Sequence, residues 1–239
     1  MRRLLFAVLL CLPLLGQASF DDCKDYFPGG VAPVTPNYPL LRELCFDSFA
    51  VLHSGESKTP VYAVERLNRA RILAAKGRPR TDKFYEEARL PFAHRAKLAD
   101  YRGSMLDRGH QAPSADFHTE EGMAQSFSLA NMVPQSPQQN RGIWAKNVEK
   151  ATREYVLRAQ GDVFVFTGPA FTQTPVGTIG AGKVWVPDYL FKLVYDPTTR
   201  KAWAHWVENS DTARMTRPIP YTELVKRTGI EFLPGITLL

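Results

Sequence analysis

The stretch Met105–Phe117 reads MLDRGHQAPSADF, and its centre places an acid, a base, a glycine and a histidine in succession. A packed hydrophobic core has no use for that order, so the stretch is either a polar turn or a chemical site. Arg108 carries a planar fork of donors that suits phosphate oxygens, and Gly109 permits close approach of the backbone. Neutral His110 can accept a proton from water near pH 7. These properties favour phosphodiester hydrolysis, and a histidine with a purely structural role is the alternative.

A free imidazole titrates near about pH 6.5. If His110 is a general base, it must be neutral to accept a proton. Activity is therefore expected to climb as the pH rises through that region.

The whole chain has 239 residues, 44% of them hydrophobic, and a formal net charge of +6. This length suffices for one larger domain or two small ones with a buried core. The modest positive charge suits an anionic partner such as nucleic acid. Candidate strands and helices follow one another without regular βαβ alternation, and no glycine-rich phosphate loop is present. We therefore expect an α+β fold that forms one domain over residues 19–239.

Residues 1–18 have the pattern of a secretory signal peptide. Arg2 and Arg3 form a positive start, an apolar run follows, and small residues precede a cleavage point after Ala18, with Ser19 as the alternative. The apolar run is too short to span a bilayer, which argues against a membrane anchor. The pattern predicts a secreted or periplasmic protein, and no later segment of the sequence has the character of a membrane span.

Two cysteines, Cys23 and Cys45, remain after the expected cleavage. In an exported chain, exactly two cysteines predict one disulfide, and free thiols or metal ligands are the alternative. The residues between them are rich in proline and glycine and show no pattern of their own. Residues 19–45 are therefore expected to form a disulfide-tethered N-terminal segment.

Patterns of apolar residues predict several further elements. FAVLHS (49–54) and VYAVERL (61–67) predict two antiparallel strands, and the basic stretch 68–90 is expected to be irregular. The arginines of that stretch either contact phosphate or cover a solvated loop. Apolar residues at helical spacing in 139–161 predict a helix that stops near Gly161.

Two longer stretches, DYRGSMLDRGHQAPSADF (100–117) and FSLANMVPQSPQQNRGIW (127–144), resemble the DNA/RNA non-specific endonuclease family. The resemblance extends from about residue 49 to residue 209. It implies an α+β fold in which a ββα-metal (His-Me finger) nuclease site is built into a larger antiparallel sheet flanked by helices. It also implies an endonuclease that cleaves both DNA and RNA and leaves 5′-phosphates. The implied cofactor is Mg²⁺, with Mn²⁺ or another divalent cation as the alternative.

The resemblance also implies roles for individual residues. His110 matches the general base, Arg108 matches the arginine near the scissile phosphate, and Asn140 matches the direct metal ligand. Asn131 matches an asparagine that supports the site by orienting the histidine or a metal-bound water. Without the resemblance, an asparagine at a helix start such as Asn140 is an ordinary helix cap.

The chain departs from the family pattern in three places. Met105 and the leucine after it stand where the family usually has glycine and an aromatic residue, a difference that we interpret as local packing. The family's helical glutamate falls here on Val148, one residue before Glu149; a one-residue bulge in the helix would return Glu149 to the site, and otherwise it is a surface acid. A phosphate-binding arginine upstream of DRGH corresponds to either Arg78 or Arg80.

Two other functions are compatible with the same residues. One is a catalytically inactive nucleic-acid-binding protein with this fold, against which the intact His110 and Asn140 argue. The other is a secreted phosphodiesterase that acts on a small nucleotide. Contacts to the phosphate backbone carry no base information, so weak sequence preference is expected of the endonuclease.

Overall fold

The computed structural model describes residues 19–174 and 176–239, so the expected signal peptide lies outside the described residues. The strands in chain order are β1 (Leu41–Cys45), β2 (Phe49–Ser54), β3 (Thr59–Leu67), β4 (Asp107–His110), β5 (Met132–Gln135), β6 (Val163–Ala170), β7 (Thr178–Ile179), β8 (Val184–Trp185), β9 (Tyr189–Asp196), β10 (Lys201–Glu208) and β11 (Ile219–Pro220). The two strands expected from FAVLHS and VYAVERL are β2 and β3, and they pair antiparallel as predicted.

One large sheet dominates the fold. It has seven strands in the order β1-β2-β3-β6-β9-β10-β11, and each neighbouring pair is antiparallel. β4 pairs with β5, and β7 with β8, as two small separate sheets. The expectation of an α+β fold with a large antiparallel sheet is confirmed.

The α-helices are α1 (Arg69–Ala75), α2 (Leu98–Tyr101), α3 (Glu120–Gln125), α4 (Lys150–Val156) and α5 (Tyr221–Thr228). A π-helical segment, Gln139–Glu149, runs directly into α4. The predicted helix is therefore present, and it ends at Val156 rather than near Gly161. Within 19–174 and 176–239, no helix combines the length and the apolar character needed to cross a membrane.

The expectation that residues 68–90 are irregular is wrong for the first part of that stretch, which is α1. The side chain of Asn68 caps the helix by accepting a hydrogen bond from the backbone N–H of Arg71 at 2.9 Å. Ile72 is buried in a cluster with Val156 of α4 and Val163 of β6. The polar composition of this stretch did not predict a helix, because the helix is stabilised by one apolar face that packs on other elements.

The predicted disulfide between Cys23 and Cys45 is present, with the two Cα atoms 5.9 Å apart. The expectation that the enclosed segment lacks structure is wrong at its C-terminal end. There β1 (Leu41–Cys45) forms the edge of the large sheet by pairing with β2. The disulfide therefore attaches the N-terminal segment, which starts with a 3₁₀ helix at Phe20–Tyr26, to an edge strand.

Both faces of the large sheet are covered. On one face, Phe166 and Phe191 pack against Phe232 and against Leu224 of α5. On the other face, Trp144 of the π-helical segment packs with residues of β5, β9 and β10 in a second buried cluster. That second layer carries β4, β5 and the π-helical segment, which together hold the residues predicted to be catalytic.

Candidate active site

The DRGH stretch is a strand and not a turn. β4 pairs antiparallel with β5, with Gly109 opposite Val133 and His110 opposite Met132. The chain then leaves β5 and enters the π-helical segment a few residues later. Strand, strand and helix thus form the expected ββα arrangement. Because side chains alternate along a strand, Arg108 and His110 share one face of β4, and Asp107 lies on the other.

A cavity of about 370 Å³ opens where β4 meets the helix. It is lined by Arg80, Asp82, Phe84, Asp107, Arg108, His110, Pro113, Ser114, Ala115, Asn140, Arg141, Ala145 and Glu149. The structure thus brings together five of the residues predicted for catalysis, phosphate binding or metal binding. The other two predicted residues, Arg78 and Asn131, do not line it.

His110 lies between two aromatic rings. The centroid of its imidazole is 4.9 Å from the ring of Phe127, edge to face, and 5.8 Å from the ring of Phe84. Its Nε2 is buried and has no hydrogen-bond partner among the described residues. Burial lowers the pKa of His110 to about 3, and the nearby positive charge of Arg80 acts in the same direction.

This environment corrects the expected pH dependence. The prediction of a rise in activity near pH 6.5 assumed a solvated imidazole, whereas the ring of His110 is partly buried between Phe84 and Phe127. Since a buried cation is disfavoured, the imidazole of the folded protein is neutral throughout the neutral and mildly acidic range. A neutral imidazole is the form that can accept a proton.

The structure shows a different reason for glycine at position 109 from the one inferred from the sequence. A Cβ at this position would lie 1.8 Å from Oε1 and 2.6 Å from Cβ of Gln135. Gln135 is fully buried, so its side chain cannot move aside into solvent. Gly109 therefore makes room for a β5 side chain under the site, and it does not line the cavity.

Asn140 is oriented by the acid of the DRGH motif. Its Nδ2 donates a hydrogen bond to Oδ2 of Asp107 at 2.9 Å, and Arg141 donates to the same oxygen at 2.8 Å. An ionised carboxylate accepts hydrogen bonds only, so the contact sets which end of the amide is nitrogen. Among the described residues no donor contacts the side-chain oxygen of Asn140, so this oxygen remains available as an acceptor.

The donor set fits a hard divalent cation. Asn140 contributes a neutral oxygen and Glu149 a carboxylate on the same cavity wall, and Mg²⁺ takes few protein oxygens and keeps several waters. Within the described residues, no group of three or more His, Cys, Asp or Glu side chains could form a closed cage. The sulfur atoms of Cys23 and Cys45 are bonded to each other in the disulfide and are not available as metal ligands. The site therefore suits a largely hydrated ion and not a soft-metal centre.

Glu149 reaches the cavity because of the π-helical winding. A π-helical turn accommodates more residues than an α-helical one, and this winding continues from Gln139 to Glu149. Val148 remains fully buried against the sheet, while Glu149 lines the same cavity as His110 and Asn140. The widened helix has the effect that the one-residue bulge was expected to have.

A group of buried charges surrounds Glu149. Burial raises the pKa of its carboxyl; the positive charge of Lys192 opposes that effect and the negative charge of Asp116 adds to it. Arg153, one helical turn on, lies 3.9 Å from Glu149 and forms a 2.8 Å ion pair with Asp116. The positive charges of Lys192 and Arg153 therefore offset part of the burial and of the Asp116 repulsion that disfavour the charged form of Glu149.

Of the candidate phosphate-binding arginines, Arg108 and Arg80 line the cavity and Arg78 does not. The guanidinium carbon of Arg108 lies 4.2 Å from the centroid of Phe84, and that of Arg80 lies 5.3 Å from the centroid of Phe127. A guanidinium stacked on a ring can still present its edge donors to phosphate oxygens, although two of the Arg80 donors, Nε and Nη2, are paired with Asp82 at 3.2 and 2.9 Å. The geometry favours Arg80 over Arg78 as the upstream arginine.

Asn131 acts on the backbone and not on a reacting group. It is fully buried. Its Oδ1 accepts from the N–H of Ala112 at 2.9 Å, and its Nδ2 donates to the carbonyls of Ala112 and Ser126, each at 2.9 Å. The expectation that Asn131 orients the histidine side chain or a water molecule is therefore replaced by a positioning role. It fixes the chain two residues after His110.

The sequence reasoning gave no role to Asp107, Phe84 or Phe127. Asp107 contacts Asn140, a partner 33 positions away, and the two rings enclose His110 from outside its own strand. Asp107 is the first residue of the DRGH motif, and this position was a signal from which a role could have been predicted. No pattern in a single sequence relates the two phenylalanines to His110.

These features define an α+β nuclease fold with a ββα-metal site. The model of the DNA/RNA non-specific endonuclease family matches residues 31–237 of the chain. The chain belongs to the DNA/RNA non-specific endonuclease family, whose members are metal-dependent phosphodiester hydrolases.

Several relatives support this assignment. Nuclease C1 of Cunninghamella echinulata var. echinulata is 31% identical over 204 residues, which cover 80% of each protein. The mitochondrial endonuclease G of Homo sapiens is 33% identical over 158 residues, covering 62% of this chain but only 52% of the human protein. A solved structure titled as the EndoG/EndoGI complex, with a mechanism of EndoG inhibition, matches with a TM-score of 0.73 at 21% identity over 82% of this chain and 86% of that one. At that identity the structural match supports the fold alone.

Proposed function

We propose that the protein is an exported, Mg²⁺-dependent, sugar-non-specific endonuclease that hydrolyses DNA and RNA to products with 5′-phosphates. The observation that carries the proposal is the single cavity that His110, Arg108, Asn140 and Glu149 share. Its lining combines a proton acceptor, a phosphate-binding cation and oxygen donors for a divalent ion. Those are the components that phosphodiester hydrolysis needs.

His110 is the general base. Its imidazole is neutral because burial depresses its pKa, and Phe84 and Phe127 hold the ring in place. It takes a proton from the water that attacks the phosphorus. Asn131 holds the backbone after His110 and so ties the end of β4 to the chain that leads into β5.

Arg108 and Arg80 bind the phosphate. Both guanidinium groups are supported by an aromatic ring, so their orientation is set before substrate arrives, and preorganised donors cost less on binding. Because these contacts go to phosphate oxygens and not to base edges, the proposed enzyme accepts many sequences.

Asn140 would hold the divalent cation through its side-chain oxygen, and Glu149 on the same cavity wall would accept hydrogen bonds from the water around that cation. A cation bound there supplies Lewis-acid stabilisation of the charge that develops on the phosphate and the leaving oxygen. Asp107 keeps the amide of Asn140 in the orientation that presents oxygen to the cavity.

The first test is cleavage of supercoiled plasmid and of a structured RNA with Mg²⁺, with excess chelator, and with the His110→Ala variant. Loss of a positioned base should reduce turnover by about a hundredfold to ten-thousandfold, while nucleic acid still binds. A protein that binds without cleaving would be an inactive homologue. Cleavage of a chromogenic diester with little attack on polymer would indicate a small-nucleotide phosphodiesterase instead.

The second test compares Arg80→Ala with Arg78→Ala. Each variant removes one positive charge from the same stretch, but only Arg80 lines the cavity. Arg80→Ala should raise KM for nucleic acid and reduce the salt slope of binding by about one. Equal effects of the two substitutions would indicate a general charge effect and not a phosphate contact.

The export part of the proposal rests on the sequence of residues 1–18 and on the disulfide, which is typical of oxidising compartments. Its test is N-terminal sequencing of the protein recovered outside the cytoplasm. The mature chain should begin at Ser19 or Phe20.

A further inference from the structure

Met105 combines two unfavourable features at one position. It is 89% exposed, more than any other large apolar side chain among the described residues. Its backbone also has φ of 62°, in the left-handed region that glycine adopts readily and methionine does not. A single exposed apolar residue needs no explanation, but an exposed apolar residue held in a strained backbone points to a function.

The turn that presents Met105 is held firmly on both sides. The hydroxyl of Ser104 donates to the carbonyl of Tyr101 at 2.9 Å and accepts from the N–H of Leu106 at 3.2 Å. Tyr101 is buried, and Leu106 packs against its cluster. The strained conformation is therefore imposed by its neighbours, and the side chain of Met105 is presented to solvent in a defined place.

Met105 lies close along the chain to the candidate active site. Met105 precedes Asp107, a lining residue of the cavity, by two positions, and two extended residues span at most about 7 Å. Along a duplex this is about two base steps, since each strand rises about 3.4 Å per phosphate. Arg102 on the same turn is exposed, and Arg108 lines the cavity, so cations lie on both sides of Met105 along the chain.

We propose that Met105 is a substrate-contact residue that inserts its side chain between, or against, the bases next to the scissile phosphate. Apolar wedges, methionine among them, are used by nucleic-acid-binding proteins to part neighbouring bases. The thioether is soft and makes favourable contacts with aromatic rings. The contact gives the site a preference for polymeric nucleic acid over small phosphodiesters, and it rests on the proposed nuclease function.

The experiment compares Met105→Gly, which removes the side chain and suits the positive φ, with Met105→Leu, which keeps an apolar side chain. Leu40→Gly is the matched control, because Leu40 has φ of 56° and is 44% exposed but lies directly before β1, far along the chain from the DRGH stretch. Binding of a fluorescent single-stranded oligonucleotide is measured by anisotropy in chelator, and kcat and KM are measured on the oligonucleotide and on bis(p-nitrophenyl) phosphate with Mg²⁺.

Met105→Gly should weaken oligonucleotide binding and raise its KM by about fivefold to twentyfold, the lower part of what stacking side chains contribute per base. Cleavage of the small diester should stay within twofold of wild type, Met105→Leu should restore most of the binding, and Leu40→Gly should change neither. Oligonucleotide binding by Met105→Gly equal to that of wild type would overturn the proposal, as would a loss of thermal stability large enough to show that Met105 packs in the fold. If neither the wild type nor any variant cleaves the oligonucleotide or the small diester, but oligonucleotide binding still depends on Met105, the proposed nuclease function is wrong and the proposed Met105 contact is supported.

Discussion

Asn140 of the helix donates its amide hydrogen to Asp107 of β4 at 2.9 Å, so the acid of the DRGH motif orients the proposed metal ligand. Asp107→Ala should therefore raise the Mg²⁺ concentration needed for half-maximal activity. The expected factor is about tenfold to a hundredfold, as for other outer-shell partners of metal ligands. The measurement is a Mg²⁺ titration of the cleavage rate.

Arg141→Ala is the control for Asp107. It removes the other partner of the same carboxylate, is largely exposed, and leaves the contact with Asn140 in place. Its Mg²⁺ requirement should stay close to that of wild type. Asn140→Ala should show the largest increase, and extra Mg²⁺ should partly restore its rate. An unchanged requirement in Asp107→Ala would remove Asp107 from the metal site.

The pH dependence of His110 follows from its burial. Since its pKa in the folded protein is about 3, the imidazole stays neutral as the pH falls below 6.5, and activity should show no step there. Between about pH 3 and 6.5 the unfolded chain binds a proton that the folded chain does not, so the free energy of unfolding should decrease as the pH falls through that window.

The direct measurement is an NMR titration of the histidine ring resonances, with His110→Ala used to assign the signal. The His110 resonance should not titrate between pH 5 and 8. A midpoint near 6.5 would show that the ring is solvated and would restore the pH profile expected from the sequence.

Glu149→Gln tests whether the widened helix brings a functional acid to the cavity. The change keeps the size of the side chain and removes its charge, and turnover should fall by about tenfold to a hundredfold. Glu154→Gln is the matched control, because Glu154 lies on the same helix in an exposed ion pair with Lys150. Wild-type turnover in Glu149→Gln would give this residue a purely structural role.

Gly109→Ala should destabilise the fold through its contact with Gln135. The added Cβ would meet a fully buried side chain, and overpacking of this kind costs about 1–3 kcal/mol. Urea unfolding should show the loss, and the double variant Gly109→Ala/Gln135→Ala should recover most of it. If the second substitution gave no recovery, the strain would lie elsewhere than in this pair.

The Cys23–Cys45 disulfide should stabilise the protein by about 3 kcal/mol, because it closes a loop of some two dozen residues in the unfolded chain. The variant with both cysteines changed to serine should show that loss in urea unfolding. Alkylation of the unreduced mature protein followed by mass spectrometry should find no free thiol. Two labelled cysteines would contradict the disulfide and weaken the case for export.

The periodic spacing of apolar residues in the sequence was sufficient to predict the strands and the helix that bury one apolar face. The apolar runs of β2 and β3 and the helical spacing around Trp144 and Val148 led to the observed strands and helix, because residues buried on one face must recur at the period of the element. Helix α1 was missed, since its stability comes from packing on β6 and α4 and its own composition is polar.

The sequence by itself determined the family, the α+β class and the disulfide, and it indicated His110, Arg108 and Asn140 as candidate site residues, because each of these depends on residue types at short or characteristic spacings. Only the tertiary structure decided how those residues work. The depressed pKa of His110 comes from the rings of Phe84 and Phe127, the orientation of Asn140 from Asp107, and the need for Gly109 from Gln135. All of these partners are distant in the chain, and only the pairing of β4 with β5 and the π-helical winding bring them within contact distance.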